Sequence, residues 1–152
     1  MNINFKKLTP TAITPVRAHA TDAGFDLFAS EDKIIKKGYT KVVSTGIALE
    51  LPDGYFADVR PRSGLTSKTF LRVHYGTIDS SYRGDIGIIC ENANHIDNHG
   101  VNRDTTIRIK EGDKIGQLVI QKLPDIKLVE ANELKESDRG VNGFGSTDKK
   151  EE

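Results

Sequence analysis

The sequence has 152 residues, within the roughly 100 to 200 residues of a single domain and long enough to build a core without a disulfide or structural metal. Lys plus Arg and Asp plus Glu are each 22, a formal net charge of zero, which removes the cationic excess that draws proteins onto nucleic-acid backbones or acidic membrane surfaces. Cys90 is the only cysteine, which excludes an internal disulfide and any cysteine-rich zinc site. With no apolar run approaching a bilayer span and no secretion signal at the N-terminus, a soluble, cytoplasmic protein is expected, binding neither nucleic acid nor membrane.

Val, Ile and Thr number 36 against 20 for Ala, Leu and Met, a bias toward strands. Short apolar or alternating runs predict strands at 3–8, 25–29, 33–36, 39–44, 47–51, 55–60, 86–90, 105–110, 114–123 and 126–129. Turn residues separate them at Lys37-Gly38, Pro52-Asp53-Gly54 and Glu111-Gly112-Asp113. No helical stripe exceeds about two turns, so the expected class is all-β, a barrel or double-sheet jelly roll. The polar segment 92–104 reads as a surface loop. The last seventeen residues hold only Val141 and Phe144 as apolar side chains, which predicts a body over 1–135 and a mobile tail over 136–152.

Five stretches are too polar or too rich in glycine for strand packing alone. In Thr21-Asp22-Ala23-Gly24-Phe25-Asp26 two carboxylates flank a glycine ahead of a strand, which suits a metal ligand or an Asx-type turn. Arg60-Pro61-Arg62-Ser63-Gly64-Leu65-Thr66-Ser67-Lys68 gathers cations, hydroxyls and a glycine. Guanidinium forks and free amides of that kind bind phosphate oxygens, and a solvated basic loop has the same composition. In Gly76-Thr77-Ile78-Asp79-Ser80-Ser81-Tyr82-Arg83-Gly84-Asp85, Asp79 is a candidate general base and Tyr82 a flat apolar face, or the run is a plain hairpin turn. Gln117 is a lone amide entering an apolar strand. The tail run Arg139-Gly140-Val141-Asn142-Gly143-Phe144-Gly145-Ser146-Thr147 lacks the lysine, strand and helix of a phosphate loop. Phe144 among its glycines has no core to join and is suited to stacking on a base. A nucleoside triphosphate is the small ligand that suits these groups together.

The five stretches, in this order and spacing, resemble the five motifs of the trimeric dUTP pyrophosphatases (dUTPases), over Thr21 to Thr147. Pro61-Arg62-Ser63-Gly64-Leu65, Gly76-Thr77-Ile78-Asp79 with Tyr82-Arg83-Gly84, and Arg139-Gly140 followed by Gly143-Phe144-Gly145-Ser146-Thr147 carry the resemblance. It implies a jelly-roll-like distorted barrel of the β-clip type and a homotrimer with three sites at subunit interfaces. The implied reaction is Mg²⁺-dependent hydrolysis of dUTP to dUMP and pyrophosphate, which keeps uracil out of DNA and supplies dUMP for thymidylate synthesis. On that resemblance, Asp26 holds Mg²⁺ through water, and Arg62, Ser63, Gly64 and Gln117 contact phosphates. Asp79 activates the attacking water, Tyr82 packs on the deoxyribose, and main-chain groups around Gly76 and Ile78 read the uracil. Arg139, Phe144, Gly145, Ser146 and Thr147 close from a third subunit, Phe144 over the base.

Ser81, Lys114, Gly116 and Asn142 depart from the residues most frequent in the family, none at an assigned contact. A dCTP deaminase of the same fold would use a glutamate where Asp79 stands. A nucleotide-gated regulatory protein would use 92–104 as a partner surface. His95, Asp97 and His99 in that loop read as solvated residues rather than a metal site, and Cys90 as a small core residue.

Overall fold

A computed structural model describes residues 1–94 and 105–142. Among these residues the chain forms β1 (Asn4–Lys7), β2 (Phe25–Phe28), β3 (Lys33–Ile35), β4 (Thr40–Ser44), β5 (Ile47–Glu50) and β6 (Tyr55–Arg60), then a short helix α1 (Ser63–Lys68). It continues through β7 (Leu71–Val73), β8 (Gly76–Ile78), β9 (Gly87–Asn92), β10 (Ile107–Ile109) and β11 (Lys114–Lys122). Every pairing is antiparallel. The sheets run β1-β5, β10-β3, β2-β11-β6-β8 and β4-β9-β7, and the all-β expectation holds.

Alternation explains why these segments are strands. In β6, Ala57 and Val59 are buried while Phe56, Asp58 and Arg60 are not, the period-two signature of a strand with one face on a core. Leu27, Ile35, Val43, Ile47, Ile86, Ile88, Ile115 and Leu118 fill that core from all sides. Each is nearly fully enclosed, which stabilises the fold by about 1.5–3 kcal/mol per side chain. Cys90 lies among them, and burial pushes its thiol up to about 12, so it stays a protonated packing group.

Two expectations are corrected. Residues 126–129 form no strand: Leu128 is 99% and Val129 83% exposed, because alternating apolar residues make a strand only where a partner edge is available. Asn92 is not a loop residue. It ends β9 fully buried, donating from Nδ2 to the carbonyls of Ile35 at 3.0 Å and Thr105 at 2.8 Å, so a polar side chain in the core is paid for by two backbone acceptors. The rest of the predicted loop, including His95, Asp97 and His99, lies outside the described residues apart from Ala93 and Asn94. Two strands were not foreseen, β7 and β8, each three residues long and separated only by His74 and Tyr75.

The central sheet sets the geometry that matters for chemistry. Gln117 on β11 is flanked by Asp26 of β2 on one side and Arg60 of β6 on the other. The β11–β2 register shifts between Lys114 and Gly116. That bulge has a consequence for side-chain direction. Lys114 and Gln117 are three apart and would face opposite sides of a regular strand, whereas one extra residue brings Lys114 round to the Gln117 face.

Candidate active site

The first four motifs of the sequence separate into two groups in space. Asp26, Arg62, Ser63, Gly64 and Gln117 line one cleft of about 420 Å³, together with Ala18, His19, Asp22, Ala23 and Gly24. Asp26 sits at its centre with its side chain 15% exposed, its Oδ1 3.1 Å from Arg62 Nε and its Oδ2 3.0 Å from Lys114 Nζ. Arg62 is held a second time, donating from Nη1 to the Lys114 carbonyl at 3.1 Å. Arg62 and Lys114 balance the carboxylates of Asp26 and Asp22 at this cleft, so an incoming anion meets paired cations in a partly buried setting rather than an unopposed negative charge.

Ser63, Gly64 and Gln117 add polar groups to the cleft. Ser63 and Gly64 open α1 and are exposed, and first-turn amides have no acceptor inside a helix. Gln117 uses Nε2 to donate to the Pro61 carbonyl at 2.9 Å, which ties β11 to the segment leading into α1. Gly24 makes that position possible: a β-carbon there would stand 2.5 Å from Gln117 Oε1 and 3.2 Å from its Cβ. Lys114 and Gly24 were not assigned from the sequence. Lys114 depends on the bulge and Gly24 on a cross-strand approach, and neither leaves a mark on local sequence.

Asp26 is a single carboxylate, and no cluster of three or more His, Cys, Asp or Glu residues among the described residues is placed to hold a metal. A cluster is not required for Mg²⁺, which keeps most of its waters and binds through one or two carboxylates plus substrate phosphates. An anionic oxygen pair beside a phosphate-sized cleft suits that mode. The residues present fit Mg²⁺ brought by a polyphosphate, an ion that Asp26 would hold.

Asp79 and Tyr82 lie elsewhere. In the β6–β8 pair, Gly76 faces Val59 and Ile78 faces Ala57, so the chain runs away from the cleft as it approaches Asp79. Asp79 follows the end of β8 beside Phe56, near the start of β6, and Arg62 lies past the other end of that strand; Phe56 to Arg60 alone spans about 13 Å at some 3.3 Å per residue. None of the residues from Val73 to Gly84 lines the cleft. Asp79 is exposed, and its carboxylate has no hydrogen bond or ion pair among the described residues. Its carbonyl accepts from the Tyr82 amide at 3.1 Å. Gly76 and Ile78 form β8 as part of the same hairpin. Arg139 is exposed and, among the described residues, donates to the nearby Asn142 carbonyl at 2.9 Å. Phe144, Gly145, Ser146 and Thr147 lie outside the described residues.

The dUTPase family model matches residues 11–148. A deoxyuridine 5'-triphosphate nucleotidohydrolase of Trichodesmium erythraeum is 44% identical over 149 residues, covering 97% of this chain and 99% of that protein. One of the same name from Clostridium acetobutylicum is also 44% identical, covering 97% of each. Among solved structures, a mutant dUTPase of Staphylococcus bacteriophage 80alpha with dUpNHpp superimposes with a TM-score of 0.87 at 31% identity, over 96% of this chain and 98% of that one. A mutant dUTPase from phage phi11 of S. aureus, described as revealing the coordination of a structural Mg(II) ion, gives 0.79 at 33% identity, over 88% and 98%.

Proposed function

Because the chain belongs to the dUTPase family, we propose that it hydrolyses dUTP to dUMP and pyrophosphate, at sites that separate copies of the chain build together. The observation that carries the reading is the cleft in which Arg62, Ser63, Gly64 and Gln117 surround Asp26, a set of donors matched to triphosphate oxygens. With Nε on Asp26 and Nη1 on the Lys114 carbonyl, Arg62 reaches phosphate through its remaining amine, and the Ser63 and Gly64 amides with the Ser63 hydroxyl supply short-range donors. Phosphoryl chemistry of this kind needs positioning and charge neutralisation more than covalent help. Mg²⁺, held near Asp26 when bound with the triphosphate, would supply charge neutralisation. Asp26 would hold the ion through water, and Lys114 Nζ, 3.0 Å from Asp26 Oδ2, fixes the orientation of that carboxylate.

Asp79 takes a proton from the attacking water and directs it at the α-phosphorus. The new bond joins that water oxygen to phosphorus, the bond to the bridging oxygen breaks, and pyrophosphate leaves with the electron pair. Tyr82 packs on the deoxyribose, and the main chain around Gly76 and Ile78 reads the uracil edge. Arg139, Phe144, Gly145, Ser146 and Thr147 form the lid, over a body ending near residue 135, with Phe144 stacked on the uracil and the others on the γ-phosphate. Closing it expels water and strengthens each charge contact.

A single chain holds Asp79 far from its own Arg62, and a homotrimer in which one subunit's hairpin meets the next subunit's cleft restores the missing neighbour. Apolar side chains left exposed among the described residues, Ile126, Leu128, Val129 and Leu134, suit such an assembly. A cytoplasmic place of action suits a chain with one buried thiol; no helix among the described residues is long and apolar enough to cross a membrane. The deaminase alternative is not favoured, since the hairpin offers Asp79 rather than a glutamate.

Pyrophosphate release with Mg²⁺ from dUTP, dCTP, dTTP and UTP in parallel tests the reading. Activity on dUTP alone is expected. Ammonia from dCTP would move the protein to the deaminase branch, and silence on all four would refute hydrolysis. A second expectation concerns Gly24→Ala, which pushes the Gln117 amide off the cleft wall. Losing one hydrogen bond to a charged phosphate costs about 1.5–3 kcal/mol, so kcat/KM should fall about tenfold to a hundredfold with the melting temperature little changed. Unaltered kinetics would remove Gln117 from the phosphate contacts.

A further inference from the structure

The turn carrying Asp79 and Tyr82 is locked by contacts that its catalytic roles do not require. Arg83 Nη1 donates to the carbonyls of Ser80 at 2.5 Å and Tyr82 at 2.9 Å. The Tyr82 hydroxyl donates to the Asp85 carbonyl at 2.9 Å. The Asp85 carboxylate accepts from the hydroxyls of Ser44 and Thr45, which anchors the end of the turn at the exit of β4. The Tyr82 ring lies directly on Gly84. A β-carbon at Gly84 would stand 2.4 Å from the phenol oxygen, 2.6 Å from Cζ and 3.0 Å from Cε2. Gly84 is not among the glycines with positive φ, so its backbone does not demand glycine. The ring does.

We propose that Gly84 is a specificity-determining residue: it is the seat that fixes the Tyr82 ring, and this seat decides how strongly a ribose is rejected. The inference rests on the reading of Tyr82 as the sugar-packing face. The reason is mechanical. Tyr82 is 44% exposed, and a phenol on two rotatable bonds at a surface would step aside for a 2′-hydroxyl at small cost. Apolar pockets reject an added hydroxyl by only about a hundredfold even when well formed. Contact with Gly84 beneath the ring and a hydrogen bond at its tip remove the freedom to yield, so the added oxygen meets a fixed wall.

The experiment compares kcat/KM for dUTP and UTP in wild type, Gly84→Ala, Tyr82→Ala and the double variant. Gly84→Ala should lower the dUTP-to-UTP ratio about tenfold or more. In the Tyr82→Ala background the same change should lower it no further, because no ring remains to be unseated. A Tyr82→Ala ratio equal to wild type would sink the sugar reading of Tyr82 itself. A lowered Tyr82→Ala ratio beside an unchanged Gly84→Ala ratio would sink the seat alone. An equal loss from Gly84→Ala in both backgrounds would show that the effect bypasses the ring and would also overturn the proposal. If Gly84→Ala proves too unstable to assay, rescue of folding by removing the Tyr82 ring supports the contact, and failure to rescue overturns it.

Discussion

Asp79→Asn should bind dUTP about as well as the wild type and turn it over about 10²-fold or more slowly, the usual contribution of a positioned general base. Asparagine keeps the shape and hydrogen-bonding reach of the side chain and loses its capacity to take a proton. Asp79 is suited to be read this way because it is exposed and nothing among the described residues competes for its carboxylate. A carboxylate committed to a structural ion pair would confuse lost catalysis with lost stability, as it would at Asp26, which holds Arg62 and Lys114 together. The measurement is a pair of numbers, kcat from pyrophosphate release and the dissociation constant of a non-hydrolysable dUTP analogue. Loss of kcat with the dissociation constant preserved assigns the proton transfer. A near-wild-type kcat removes Asp79 from the chemistry, and loss of binding alone makes it a sugar contact and no more.

Mixing two inactive variants should restore activity. On the proposed roles, Arg62→Ala removes a phosphate contact and Asp79→Asn removes the base. If each site joins the hairpin of one chain to the cleft of another, a chain with intact Asp79 can meet a chain with intact Arg62. In a cyclic assembly exchanged at equal proportions, roughly a quarter of the sites are then whole, and about that fraction of wild-type activity should return. The expectation follows from the register of β6 against β8, where Ile78 faces Ala57 and Gly76 faces Val59. That pairing carries Asp79 toward the opposite end of the strand from Arg62, and no hinge inside a hydrogen-bonded pair closes a gap of about 13 Å or more. Mixed chains no more active than the sum of the separate ones would mean that each chain completes its own site.

Nine of the ten predicted strands exist with small shifts at their ends, as expected where alternation and turn residues agree. The tenth, 126–129, has the right pattern and no neighbour. The strands overlooked, β7 and β8, are too short for a pattern to show and are interrupted by His74 and Tyr75. No helix was foreseen at Ser63–Lys68, since Arg62, Ser63 and Gly64 stood out only for functional groups suited to phosphate, a property independent of the backbone.

What the amino-acid sequence determined by itself is the β class, the turn positions and the inventory of chemical groups, because propensity, alternation and functional-group chemistry act within a few residues. What only the tertiary structure decided is how those groups are distributed. The bulge between Lys114 and Gly116 turned a lysine with no assigned role onto Asp26. The β6–β8 register separated Asp79 from Arg62, and Gly84 became the floor beneath Tyr82. Each of these depends on which strand lies beside which, and on the parity with which side chains leave a pleated backbone. Pairing and parity are relations between distant segments, and no window of local sequence contains them.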